Sequence, residues 1–88
     1  MFVIVTYDIS EGRQLNKARK HLKKYLTWTQ NSVFEGEITP SKLQSCMIEL
    51  KNIIDCKEDS VYVYEIKNRK NISKNVYGTH KSFDDMFL

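Results

Sequence analysis

MFVIVTYDISEGRQLNKARKHLKKYL, residues 1–26, is the stretch that decides the fold. Met1 to Tyr7 is rich in β-branched and aromatic side chains and apolar on both alternations. That predicts an interior strand, covered on one face and buried again by a partner. Asp8 stands at its end, and Ser10-Glu11-Gly12 supplies turn chemistry. Arg13 to Leu26 then reads as a helix, with Leu15, Ala18, Leu22, Tyr25 and Leu26 recurring along one face. Arg13, Lys17, Lys20 and Lys24 fall on the opposite side at about 100° per residue. The helix therefore packs with one face and shows positive charge with the other, which is either a binding stripe or a plain solvated face.

Working outward, Thr27 to Phe34 reads as a second strand, with Glu35-Gly36 as a tight connection into a short strand, Glu37 to Thr39. Thr39-Pro40 is a helix start, because Thr caps free N–H groups and Pro at the first helical position loses no hydrogen bond. Leu43, Cys46, Met47, Leu50, Ile53 and Ile54 recur at helical spacing, which places Cys46 on the buried face as a small core residue. Asp55 to Asp59 is a polar loop, and Ser60 to Lys67 is a strand in which Val61 and Val63 alternate with Tyr62, Tyr64 and Ile66. The order strand, helix, strand, strand, helix, strand is the α+β, ferredoxin-like arrangement of two helices on one face of an antiparallel sheet.

That domain takes up residues 1–78 and leaves a tail, 79–88. Within it, Asn71 to Tyr77 has the polar character of an edge strand or of a reach across to a second protomer. The tail is a frayed end or, through Phe83, Met86, Phe87 and Leu88, a peptide that docks in a partner's groove.

Eighty-eight residues, 41% hydrophobic and 28% charged, are too few for two cores and too apolar for a disordered chain. A domain this small buries only about 60% of its unfolded surface, so association with a second copy adds stabilisation. The net charge of +3 is mild, but its distribution is uneven. No acid occurs from Gly12 to Phe34, where Arg13, Lys17, Arg19, Lys20, Lys23 and Lys24 lie, nor from Ile66 to Phe83, which holds Lys67, Arg69, Lys70, Lys74 and Lys81. Two such segments point to an anionic partner. Cys46 and Cys56 form no CxxC pair, which argues for free thiols. The Phe2-Val3-Ile4-Val5 run is too short for a signal-peptide core and no stretch is long enough to span a bilayer, so a cytoplasmic protein without a membrane partner is expected.

Walker, GxGxxG, GxSxG and HExxH motifs are all missing. What remains is one carboxylate, Asp8, at a strand end beside Tyr7 and before the basic helix. One Asp is a poor Mg²⁺ site, since that ion wants six oxygens. A two-fold axis near Asp8 would bring two copies together; the alternative is an Asp that caps a turn or the next helix. His21, on the flank of the first helix, and His80, in the tail, read as surface residues, which leaves no general base nearby.

Tyr7-Asp8-Ile9-Ser10 after an apolar strand, the basic helix, Gln30-Asn31-Ser32-Val33-Phe34-Glu35-Gly36 and Asp59-Ser60-Val61-Tyr62-Val63-Tyr64 together resemble the CRISPR-associated Cas2 family. The resemblance covers residues 1–78 and implies a homodimer whose sheets face one another, with a last strand from each chain completing the partner's sheet. It implies a metal-dependent endonuclease acting on single-stranded RNA or, in some members, duplex DNA. It also implies a bridge that holds prespacer DNA for the Cas1 integrase during spacer acquisition. On that resemblance Asp8 of each protomer binds Mg²⁺ with Tyr7 beside it as the catalytic pair. Arg13, Lys17 and Lys20 contact phosphates, with Lys24 on the same stripe, and Ser32 and Phe34 shape the nucleic-acid cleft near the dimer axis.

Two departures stand out. Glu11-Gly12 keeps one acid where many members have two, and Trp28 occupies a position where they carry a cation. Trp28 is then a base-stacking platform or a partly buried sheet aromatic. Three functions remain: the metal-dependent nuclease, a non-catalytic DNA scaffold for the integrase, and a stand-alone ribonuclease toxin of the virulence-associated protein D type. An RNA-recognition motif is disfavoured, because its Arg-Gly-Phe-like central-strand signature is missing.

Overall fold

The computed structural model describes residues 1–79. Its elements are β1 (Phe2–Asp8), α1 (Arg13–Leu22), β2 (Thr27–Gln30), β3 (Val33–Glu37), α2 (Pro40–Ile53) and β4 (Ser60–Ile66), followed by a 3₁₀ turn at Arg69–Asn71. The strands form one sheet in the order β2-β3-β1-β4, every neighbouring pair antiparallel. This is the expected ferredoxin-like α+β arrangement, with β1 central: Val5 pairs with Phe34 of β3 on one side and with Val63 of β4 on the other.

Alternation along β1 sorts its side chains onto two faces. Val3, Val5 and Tyr7 join the core beneath the helices with Leu15, Ala18 and Leu22 of α1, Phe34, and Leu43, Cys46 and Leu50 of α2. Ile4, Thr6 and Asp8 point the other way, paired with Tyr64, Tyr62 and Ser60. Among the described residues no helix covers that second face, and Tyr62 and Tyr64 stay more than half exposed there.

The hairpin lies elsewhere than the sequence suggests. The turn falls at Asn31-Ser32, not at Glu35-Gly36, and one continuous strand runs from Val33 to Glu37. The cause is tertiary: Ser32 offers its carbonyl to the Tyr7 N–H at 3.2 Å, and three donors converge on the Asn31 carbonyl. Gly36 serves close approach instead of a turn, since a Cβ there would sit 3.4 Å from the Leu26 side chain. Past β3, the Ile38 N–H bonds the Met1 carbonyl at 2.9 Å and its side chain is buried. Helix α1 also stops at Leu22, short of Leu26. Lys24 and Tyr25 donate to carbonyls three residues back, a tightening that swings the chain into β2. The α2 start is as read: the Thr39 hydroxyl accepts from the Lys42 N–H at 3.3 Å, with Pro40 at the first turn.

His21 is a further correction. It is buried, with Nε2 2.9 Å from the Cys46 carbonyl and Nδ1 3.3 Å from the Glu49 carboxylate, so it ties α1 to α2 instead of facing solvent. Cys46 is fully buried as expected, and burial, reinforced by the Glu49 charge, pushes its thiol up to about 11. Both cysteines are free. After β4 the chain returns across the uncovered face, with the Arg69 guanidinium 4.5 Å from the Phe2 ring centre and Lys74 paired to Glu35. Residues 72–79 form no strand within the protomer. The proposed docking residues Phe83, Met86, Phe87 and Leu88, together with His80, lie outside the described residues. Among the described residues no helix is long and apolar enough to cross a membrane.

Candidate functional site

Asp8 is exposed at the carboxyl end of the central strand, opposite Ser60 of β4. Two anchors hold that end of the sheet. On the β4 side, the buried Asp59 carboxylate accepts the Ser10 N–H at 3.3 Å and the Asp55 N–H at 2.9 Å, tying the loop after β1 to the loop before β4. On the β3 side lies the Asn31-Ser32 turn. The Asn31 carbonyl accepts from the Tyr7 hydroxyl (3.0 Å), Arg19 Nη2 (3.3 Å) and Trp28 Nε1 (3.2 Å), while Arg19 Nε donates to the Tyr7 hydroxyl at 3.1 Å. Elements distant in sequence meet at one oxygen, which fixes the turn beside Asp8.

This arrangement revises several expected roles. Tyr7 neighbours Asp8 in sequence, but its side chain goes to the helix-covered face, is 6% exposed and is bonded at its hydroxyl. It acts on the site as a brace and stands on the opposite side of the sheet from the carboxylate. Phe34 is fully buried, 5.9 Å from Trp28 in a stacked arrangement and 6.1 Å from Tyr7. No nucleic acid reaches it in this fold, so it shapes the turn from beneath. Ser32 is half-buried in the turn. Trp28 is 6% exposed, and the Arg19 and Lys23 cations lie over its ring at 4.8 and 5.1 Å, so the sheet-aromatic reading holds and base stacking does not.

Arg13, Lys17 and Lys20 are exposed, as the helical spacing requires, and Lys24, in the turn after α1, is exposed as well. Arg19, Asn31 and Asp59 are the residues that sequence reasoning passed over. Their types are ordinary, and only the fold brings their partners to them. Within one chain a divalent ion, which wants six oxygens, would find too few protein ligands at this site. Among the described residues no group of three His, Cys, Asp or Glu side chains could hold an ion, and Asp8 offers a single exposed carboxylate.

A four-stranded antiparallel sheet with both helices on one face, an exposed carboxylate closing its central strand and a basic helix behind defines a small ferredoxin-like α+β protein. Within that class the chain belongs to the CRISPR associated protein Cas2 family, whose profile matches residues 1–73. A Thermodesulfovibrio yellowstonii protein named CRISPR-associated endoribonuclease Cas2 3 is 58% identical over 87 residues, covering 99% of this chain and 98% of its own. A Thermotoga maritima CRISPR-associated endoribonuclease Cas2 is 42% identical over 84 residues, covering 96% and 95%. Among solved structures, a crystal structure of Cas2 superposes with a TM-score of 0.81 at 41% identity, covering 93% of this chain and 91% of that one. Streptococcus pyogenes Cas2 gives 0.73 at 32% identity, covering 88% and 100%.

Proposed function

We propose that this chain is a Mg²⁺-dependent endoribonuclease of the CRISPR system that works as a homodimer, each protomer contributing Asp8 to a shared metal site. The observation that carries the reading is Asp8 itself, an exposed carboxylate on the uncovered face of the sheet, at the end braced by Asp59 and Asn31. The face opposite the helices suits a second copy, because the exposed Tyr62 and Tyr64 and the half-buried Ile4 and Val33 lie there. Its relatives carry the name endoribonuclease, which supports RNA as a substrate. Bound at paired Asp8 carboxylates, Mg²⁺ supplies charge stabilisation at the phosphoryl group and lowers the pKa of a water. The protein's own residues do the rest: Asp8 holds the ion, and the Arg13, Lys17, Lys20 and Lys24 stripe binds the phosphodiester backbone without reading its sequence.

Metal-titrated cleavage of single-stranded RNA and of duplex DNA, run on the wild type and Asp8→Ala with the oligomeric state measured alongside, tests this. Asp8→Ala should abolish cleavage and leave the dimer intact; full residual activity overturns the nuclease reading.

The exposed basic stripe also favours a second role, a bridge that presents duplex prespacer DNA to the Cas1 integrase. In a spacer-acquisition assay that role survives Asp8→Ala and is lost on charge reversal at Lys17, Lys20 and Lys24.

A further inference from the structure

Residues 72–79 pass over the face opposite the helices and are held there by little. Among the described residues, 73–79 make no backbone hydrogen bond to the body of the protomer. Val76 and Tyr77 stand in solvent, Tyr77 93% exposed. One contact fixes the segment: the Lys74 ammonium donates to the Glu35 carboxylate. Glu35 belongs to β3, opposite Ile4 of the central strand, and its side chain is only 17% exposed. Beyond this pair the segment stands off the sheet. A cleft of about 610 Å³ lies between them, lined by Thr29, Asn31 and Val33 of the sheet end and by Asn75, Val76 and Tyr77 of the segment.

A single ion pair contributes little against the backbone freedom that residues 73–79 give up when they are held in one place. The seated and released positions of the segment are therefore close in free energy, and the pair decides between them. The same face carries Ile4, Val33, Tyr62 and Tyr64, the side chains that suit a second copy. With the segment seated, the part of that surface around Val33 and Glu35 is taken, while Tyr62 and Tyr64 stay open.

We propose that the Glu35–Lys74 pair is a latch. Closed, it holds residues 72–79 over the protomer's own sheet and keeps a second copy off that face. Open, it clears the face and frees the unpaired N–H and C=O groups of the segment in one step. This rests on the homodimer reading and adds a control to it, because a contact within the protomer must break before two protomers meet. Salt screens the pair and favours the open position.

Sedimentation of the full chain over a range of protein concentrations, at low and at high salt, tests the latch. It compares the wild type with Lys74→Gln, Glu35→Gln and Lys70→Gln; the last removes the same charge from the 3₁₀ turn. At low salt Lys74→Gln and Glu35→Gln should self-associate about two- to fivefold more tightly, the range set by a partly exposed ion pair, and Lys70→Gln should match the wild type. High salt should bring the wild type up to the two latch variants, and the reversed pair, Glu35→Lys with Lys74→Glu, should restore wild-type association. At dilutions where every form is monomeric, chymotrypsin should cut after Tyr77 several-fold faster in Lys74→Gln. Weaker association in Lys74→Gln overturns the latch, since the pair then joins protomers instead of closing one. A gain shared by Lys70→Gln is a general charge effect and overturns it too, as do equal association and equal cleavage in all forms. If no form self-associates at any concentration, the homodimer reading falls and the latch with it. Should Glu35→Gln fail to fold, the exposed Lys74→Gln decides.

Discussion

Tyr7 and Asp8 are adjacent on β1, yet they belong to different parts of the molecule. Tyr7 faces the helices, with its hydroxyl bonded to Arg19 and Asn31 and its ring against Phe34. Asp8 faces the side that no helix covers, exposed at the strand end. The same division holds across the sheet: Val3, Val5 and Phe34 are fully enclosed, whereas Tyr62 and Tyr64 of the edge strand β4 are more than half exposed. One face encloses most of the buried core, and the other keeps large side chains in solvent. A residue's distance in sequence from Asp8 therefore says less about its role than the parity of its position.

Substitutions on the two faces should separate these roles. The largest effect belongs to Phe34→Ala, which empties a fully enclosed site and should cost about 3–5 kcal/mol in denaturant unfolding. The matched change on the face opposite the helices, Tyr64→Ser, should leave protomer stability within about 0.5 kcal/mol while weakening self-association in sedimentation. Equal losses at the two positions would break the division. Smaller, and more pointed, is Tyr7→Phe: it removes one hydroxyl from the Arg19–Asn31 network and should cost about 0.5–1.5 kcal/mol, with the metal requirement for cleavage unchanged. A shift in metal affinity would instead put Tyr7 in contact with the Asp8 side.

The smallest effect at neutral pH concerns the thiols. Burial raises Cys46 from 9.0 to about 11, so the folded state keeps its proton where the unfolded chain begins to lose it. Its contribution to stability is thus whole below pH 9 and drains away as the pH rises toward 11. Melting scans should show that decline, and alkylation at pH 8 should modify the exposed Cys56 tenfold or more faster than Cys46.

Local chemistry was legible wherever it acted alone. The apolar run of β1, the Thr39-Pro40 start of α2 and the alternation of β4 are each decided by a few consecutive residues, and the structure follows them. Asp8 could be picked out for the same reason, as the carboxylate that ends the first strand. The hairpin could not, because Asn31 becomes a turn through donors from Tyr7, Arg19 and Trp28. His21 was misread likewise: its partners, Cys46 and Glu49, lie on another helix. Periodicity places a residue on a face, but it does not say what waits on the other side.

The central position of β1 also governs the order of events as the chain emerges from the ribosome. Its two neighbours are β3 and β4, and the β4 ladder closes only when Ile66 is available to pair with Phe2. At synthesis rates of roughly 5–20 residues per second, the apolar first strand waits on the order of 3–12 s for its last partner. During that interval the adjoining α1, whose hydrogen bonds are local and form within microseconds, covers it first, and β3 and α2 follow before β4 is made. The strand made first is completed last, and the nascent chain is most prone to stick to its neighbours while that edge stays open.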